Sequence, residues 1–152
     1  MQQLNYAIHI PAPPQQVWNT MLQHGTYEQW TTAFLPGSTY TGNWGLHERL
    51  KFTGPEGNGT VAEITAWEQY KLIAATHVAV VNRQGVEERA SPEAQQWIGT
   101  RESYRFVQTA EGHTQLEVEM HTHPAFASMF DTSWPKALQA LKNLLAVPAS
   151  NA

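Results

Sequence analysis

The apolar positions near the C-terminus are spaced by three and four residues, which is the period of one face of an α-helix. They are Phe126, Met129, Phe130, Trp134, Ala137, Leu138, Leu141, Leu144 and Leu145. Lys136 and Gln139 lie off that face. The pattern predicts a long amphipathic helix over residues 126–147. Because such a helix is not stable alone in water, it needs an apolar surface to pack on.

Seven earlier segments alternate apolar and polar positions, as a half-buried β-strand does. They are residues 4–10, 39–43, 46–53, 60–68, 71–81, 101–109 and 114–122. Two short amphipathic helices are predicted between the first two strands, one containing Val17 and Trp18 and one containing Tyr27 and Trp30. Residues 82–99 are polar, and we expect an extended loop with one helical turn near residues 94–97.

Hairpin connections between successive strands predict an antiparallel sheet. We therefore expect one α+β domain over residues 1–152, in which a curved sheet of about seven strands wraps around the C-terminal helix. Pro135 lies inside that helix and should kink it or start a new segment, which Ser133 could cap.

Several short motifs resemble a known superfamily. One is the first strand, which is followed in the sequence by Ala12-Pro13 and then by Val17-Trp18. The others are Gly42-Asn43-Trp44, residues 59–64, residues 71–73, and the single tryptophans Trp30 and Trp134. In this order they resemble the START-like (SRPBCC) superfamily with its helix-grip fold, and most of all the branch of the activators of heat-shock ATPases. The resemblance implies a cavity between the sheet and the long helix. It does not imply ATPase activation, because those activators carry an additional domain.

The composition narrows the classes of function. Only 14% of the 152 residues are charged, while six Trp, five Tyr and five Phe supply material for a core or a pocket. A net charge of −4 with nine scattered basic residues argues against nucleic-acid binding. No apolar run predicts a membrane span or a signal peptide, and there is no cysteine. We expect a cytoplasmic protein.

The strands, the second short helix and the terminal helix together supply the residues expected to line the cavity. These are Trp30, Phe34, Leu50, Phe52, Tyr104, Phe106, Leu116, Val118, Met120, Met129, Phe130, Trp134 and Leu138. The alternative is that these side chains fill a solid core. We favour a pocket, because large aromatic rings fill a concave interior poorly.

Two polar residues could face into this pocket and orient a ligand. Glu48 shares the strand face of Leu50, and His77 lies in an apolar strand. The alternative for both is a position at the mouth or on the surface. Arg101 and Arg105 have the wrong strand parity for the inner face.

Two other patterns invite chemistry but are weaker. His121 and His123 have a spacing that metal ligands use, and a third ligand could come from His9, His47 or His77, yet exposed histidines are common and we assign no metal and no cofactor. The glycines of residues 54–59 superficially resemble a phosphate-binding loop, but they lie between two strands and predict a turn.

The sequence leaves three functions open. The first is binding of a small hydrophobic or aromatic molecule in the cavity. The second is an enzyme of the polyketide cyclase or aromatase type, with Glu48 or His77 as acid or base. The third is a protein-interaction module of a co-chaperone kind that uses a sheet edge or the loop of residues 82–99. The sequence also leaves a homodimer open.

Overall fold

The computed structural model describes residues 1–146, so the predicted helix end at residue 147 lies outside the described residues. The strands are β1 (Gln2–Ile10), β2 (Thr39–Thr41), β3 (Arg49–Thr53), β4 (Gly59–Glu68), β5 (Leu72–Val81), β6 (Glu87–Glu88), β7 (Arg101–Gln108) and β8 (Thr114–Thr122). The α-helices are α1 (Pro14–Leu22), α2 (Thr26–Trp30), α3 (Pro92–Trp97) and α4 (Ala127–Leu145). Short 3₁₀ turns follow α2 at Thr31–Ala33 and precede α4 at Pro124–Phe126.

The strands form one curved antiparallel sheet in the order β1-β8-β7-β5-β4-β3-β2, and β6 pairs with the far end of β5. Helix α4 packs across this sheet and contacts β1, α1 and α2. Its buried face carries Trp134, Leu138 and Leu141, as the spacing predicts. The α+β class and the sheet clasping the terminal helix are therefore confirmed.

A bulge in the middle of the sheet decides which side chains of β5 face inward. Ala62 pairs with His77 and Val61 pairs with Ala79, so Val78 has no partner on β4. A bulge of this kind bends the strand and redirects the side chains beyond it. Ala79 consequently packs with Val61 in a small separate cluster, whereas His77 faces the space beneath α4.

The segment of residues 82–99 differs from the extended loop that its composition predicts. It adds β6 to the sheet, which brings the strand count to eight, and it contains α3, close to the expected helical turn. The Ser91 hydroxyl accepts a hydrogen bond from the Ala94 N–H and so caps α3 at its N-terminus. Pro92 follows at the first helical position, where its missing N–H costs nothing.

The expected start of a new helical segment at Pro135 is wrong. Helix α4 runs as one helix through Pro135, and Ser133 is buried inside it rather than capping a second segment. Proline removes one N–H donor from the helix interior. Burial of Trp134 and Ala137 on either side of Pro135 holds the backbone helical in spite of this loss. The predicted strand over residues 46–53 is also shorter, because β3 begins only at Arg49.

Candidate ligand-binding cavity

A cavity of about 450 Å³ lies between the inner face of the sheet, the segment of α2 with its 3₁₀ turn, and the first half of α4. Its wall is mostly apolar and contains nine aromatic side chains. They are Tyr27, Trp30, Phe34, Trp44, Phe52, Trp97, Tyr104, Phe130 and Trp134. The exposed side chains of Leu35 and Met129 also line it, which places the mouth beside them.

Helix α2 and its 3₁₀ turn (residues 26–33) form the roof of the cavity, which is held by hydrogen bonds to main-chain carbonyls. The Trp30 indole Nε1 donates to the Met21 carbonyl over 2.9 Å, and the Tyr40 hydroxyl donates to the Leu22 carbonyl over 2.5 Å. These bonds join α2 and β2 to the end of α1. Trp30 then stacks on Trp134 of α4, with ring centroids 6.1 Å apart. The roof is therefore tied to its neighbours on both sides.

Helix α3 closes one side of the cavity with Trp97. This ring meets His77 edge-on at 5.3 Å, and it packs against Phe126 at 4.9 Å and Phe130 at 6.0 Å. The polar segment of residues 82–99 thus contributes part of the wall. Such a contribution requires the chain to fold back over β5, which local sequence patterns do not predict.

Four polar side chains form a connected cluster at the bottom of the cavity. His77 Nδ1 lies 3.0 Å from the Thr60 Oγ1, and His77 Nε2 lies 3.1 Å from the Glu102 Oε1. The Tyr104 hydroxyl donates to the other carboxylate oxygen of Glu102 over 2.7 Å. Main-chain bonds from His77 to Thr100 and Gly99 fix this point of β5. The cluster is therefore positioned by three strands, β4, β5 and β7.

The surroundings keep the Glu102 side chain ionised and the Tyr104 hydroxyl protonated. Burial raises the pKa of Glu102, but the hydrogen bond and charge of His77 and the hydrogen bond from Tyr104 outweigh it and leave that pKa below its usual value. Burial and the neighbouring carboxylate raise the pKa of the Tyr104 hydroxyl well above its usual value. The Glu102 side chain is 14% exposed and that of His77 is 6% exposed, so both are nearly enclosed.

Nine of the residues expected to line the cavity do so. They are Trp30, Phe34, Phe52, His77, Tyr104, Met120, Met129, Phe130 and Trp134. The structure places Leu50, Phe106, Leu116, Val118 and Leu138 in the core, away from the cavity wall. Phe106, for example, packs against Trp18 of α1, with ring centroids 5.1 Å apart.

Glu48 is exposed and does not line the cavity, so its expected inward orientation is wrong. The alternation that suggested it requires a strand, whereas Glu48 lies in the turn before β3. Its N–H donates to the Gly45 carbonyl, and the preceding His47 has a left-handed backbone with φ of 66°. A turn of this kind removes the relation between odd and even positions and the two faces of the sheet.

The carboxylate that does reach the cavity is Glu102, which the sequence analysis missed. It has the same strand parity as Tyr104 and Phe106, both assigned to the inner face. Continuing that alternation by one more step would have identified it. Tyr27, Trp44 and Trp97 gave no such signal, because short helices and turns bring them to the wall.

The glycine-rich segment of residues 54–59 forms the turn between β3 and β4, as predicted. Gly57 N–H donates to the Gly54 carbonyl, and Gly54 N–H donates to the Asn58 carbonyl. At Gly59 a Cβ would lie 1.8 Å from the Phe52 carbonyl oxygen, so only glycine allows the two strands this close. The turn thus supports the wall at Phe52.

The histidines do not gather around one point. His121 contacts Glu119 on β8, and His9 on β1 contacts His113 in the turn before β8. Across residues 1–146, no group of three or more His, Cys, Asp or Glu side chains could hold a metal ion. In the same range, none of the helices has the length and apolar character needed to cross a membrane.

Comparison with known proteins identifies the fold. No protein-family model matches the chain, and no curated protein matches its sequence. Solved structures do match: the Aha1 dimer from Colwellia psychrerythraea has a TM-score of 0.72 at 21% identity and covers 97% of this chain and 98% of its own. CalU16 from Micromonospora echinospora has a TM-score of 0.68 at 14% identity, with coverage of 95% and 76%.

DynU16, from the dynemicin biosynthetic locus, has a TM-score of 0.68 at 13% identity and covers 97% of this chain and 48% of its own. At these identities the likeness concerns the fold alone. The helix-grip fold implied by the sequence motifs is confirmed, and an Aha1 structure is among its structural neighbours.

Proposed function

We propose that this protein binds a small, largely apolar aromatic molecule in the cavity between the sheet and α4. The observation that carries the proposal is a cavity of about 450 Å³ with nine aromatic rings and one buried polar cluster in its wall. Ligand sites in proteins are commonly about 300–1,000 Å³ and combine apolar walls with a few placed polar groups. Native interiors otherwise keep few voids larger than a water molecule.

Binding would be driven by removal of apolar surface from water. This contributes roughly 25 cal/mol per Å², from which the cost of ordering the ligand is subtracted. The rings of Trp30, Phe34 and Trp134 offer edges and faces for stacking. The cluster around Glu102 would fix which end of the ligand lies deepest.

Native mass spectrometry of gently purified protein tests this proposal. We expect a retained molecule that Phe34→Ala weakens or removes, because the half-buried Phe34 ring lines the cavity. Val107→Ala is the matched control, because Val107 is exposed and lies outside the cavity. A protein that retains nothing, and binds no aromatic probe after denaturation and refolding, would contradict the proposal.

The pairing of His77 with Glu102 favours a second candidate, a general acid–base enzyme acting on a cyclic substrate in the same cavity. An imidazole oriented by a carboxylate is a common arrangement for proton transfer. The origin of DynU16 in a biosynthetic locus is compatible with this candidate. Once a retained molecule is identified, its conversion can be followed by mass. His77→Gln should then stop conversion while retention persists, and unchanged conversion would remove His77 from that role.

A further inference from the structure

The charged chemistry of the cavity wall is concentrated in one place. Among the described residues that line it, Glu102 is the single carboxylate, and there is no lysine or arginine. His77 is the remaining group that can carry charge near neutral pH, and it contacts Glu102 directly. A ligand in this cavity therefore meets a carboxylate without meeting a fixed positive charge.

The hydrogen bonds of the cluster can all be made with a neutral His77 ring. His77 Nε2–H then donates to Glu102, the Thr60 hydroxyl donates to His77 Nδ1, and the Tyr104 hydroxyl donates to Glu102. Every donor has an acceptor in this arrangement. A cation that approaches Glu102 favours this neutral form of the ring, because two positive charges around one carboxylate repel each other. The cluster then carries the single negative charge of Glu102.

The aromatic wall adds to the effect of this charge. The face of an aromatic ring is electrically negative and attracts cations, most strongly for tryptophan. Trp30, Trp97 and Trp134 all line the cavity. Because a largely apolar cavity screens charge less than water does, both contributions favour a cation and disfavour an anion.

We infer that the natural ligand of this cavity is a hydrophobic organic cation of the arylalkylamine class, whose ammonium group pairs with Glu102 while its rings pack on the tryptophans. The inference rests on the proposed function, since it names the ligand class of the same cavity. It assigns to Glu102 the role of charge-selecting residue.

Three naphthyl probes of similar shape test the inference: the amine naphthylmethylamine, the alcohol naphthylmethanol and the carboxylic acid naphthaleneacetic acid. Calorimetric titration is carried out at a pH of about 8, where an alkylamine is protonated and a carboxylic acid is ionised. We expect the amine to bind about 10- to 100-fold more tightly than the alcohol, as charge-assisted hydrogen bonds do, and the acid to bind most weakly. An alcohol that binds as tightly as the amine would overturn the inference and leave the proposed function standing. Failure of all three probes would overturn both.

Two variants then locate the selectivity. Glu102→Gln removes the charge and keeps the shape, and it should abolish the preference for the amine while the alcohol still binds. Tyr104→Phe is the matched control, because it removes a hydrogen bond to Glu102 but keeps the carboxylate, and the preference should persist. A preference that survives Glu102→Gln would contradict the assignment.

Discussion

The layer between the sheet and α4 is closed at one end and hollow at the other. At the closed end, Trp18 of α1 packs against Trp67 and Phe106, with ring centroids 4.9 and 5.1 Å away, and none of the three lines the cavity beneath α4. At the hollow end, Trp30 and Trp134 stack at 6.1 Å, and a cavity opens beside them. Both ends are rich in aromatic residues.

The difference lies in the element that covers each end. Helix α1 has nine residues and contacts both β7 and α4, so its side chains interlock with two surfaces. Helix α2 has only five residues before it continues as a 3₁₀ turn, and the Trp30 indole N–H ties it to the Met21 carbonyl of α1. A short segment that hydrogen bonds tie to its neighbours can cover a void without filling it. The comparison teaches that aromatic content alone does not decide between a core and a pocket.

The largest expected effect is the loss of stability on truncating the closed end. Trp18→Ala removes a ring that is 4% exposed, and it should lower the free energy of unfolding by about 3–5 kcal/mol. Phe34→Ala, beside the cavity, should cost about 1 kcal/mol or less, because part of that ring already faces empty space. Urea unfolding of the two variants measures the contrast. Equal losses would mean that the two ends are packed alike.

Enlarging a side chain should also distinguish the two ends, because the packed core has no space for added volume and the cavity has. Ala137 is fully buried in the core beyond the cavity, so Ala137→Leu should destabilise by about 1–3 kcal/mol through overpacking. Phe52→Trp extends a half-buried wall residue into the cavity and should leave the melting temperature nearly unchanged. It should also weaken binding of an aromatic probe. A large loss of stability in Phe52→Trp would show that the cavity has no room to accept the larger ring.

Acid should weaken the roof of the hollow end through Glu28. Burial raises the pKa of Glu28, but hydrogen bonds from His24, the Gly25 N–H and the Thr39 hydroxyl lower it by more. The net result is a pKa lowered from 4.5 to about 2. A carboxylate whose pKa is lower in the folded state contributes stability above pH 4.5, and that contribution is lost as the pH falls from 4.5 towards 2. Glu28→Gln should therefore flatten the dependence of stability on pH in this range. Chemical unfolding across this pH range measures it, and an unchanged slope would contradict the role of Glu28.

The smallest expected effect is that of the same substitution at Glu48. This residue is exposed, outside the cavity and in a turn, so Glu48→Gln should change stability by less than about 0.5 kcal/mol and leave probe binding unaltered. It serves as the matched control for Glu28→Gln. Loss of probe binding in this variant would return Glu48 to the candidate site.

Much of the fold could be predicted because its elements have strong local patterns. The three- and four-residue spacing of α4 and the alternation of β7 and β8 require no knowledge of distant contacts. Alternation also gave the right face for Tyr104 and Met120, and it would have given Glu102 if followed one step further. It failed at Glu48, because a turn with a left-handed residue interrupts the strand there.

Helix α4, seven of the eight strands and the aromatic residues that those strands and α4 place in the cavity wall were determined by the sequence itself, since each follows from the spacing of neighbouring residues. The tertiary structure alone decided that α3 returns over β5 to place Trp97 in the wall, and that Thr60, His77 and Glu102 meet from three strands. It also decided that α4 continues through Pro135. These outcomes depend on packing between segments that are far apart in the chain. The spacing of neighbouring residues does not predict such contacts.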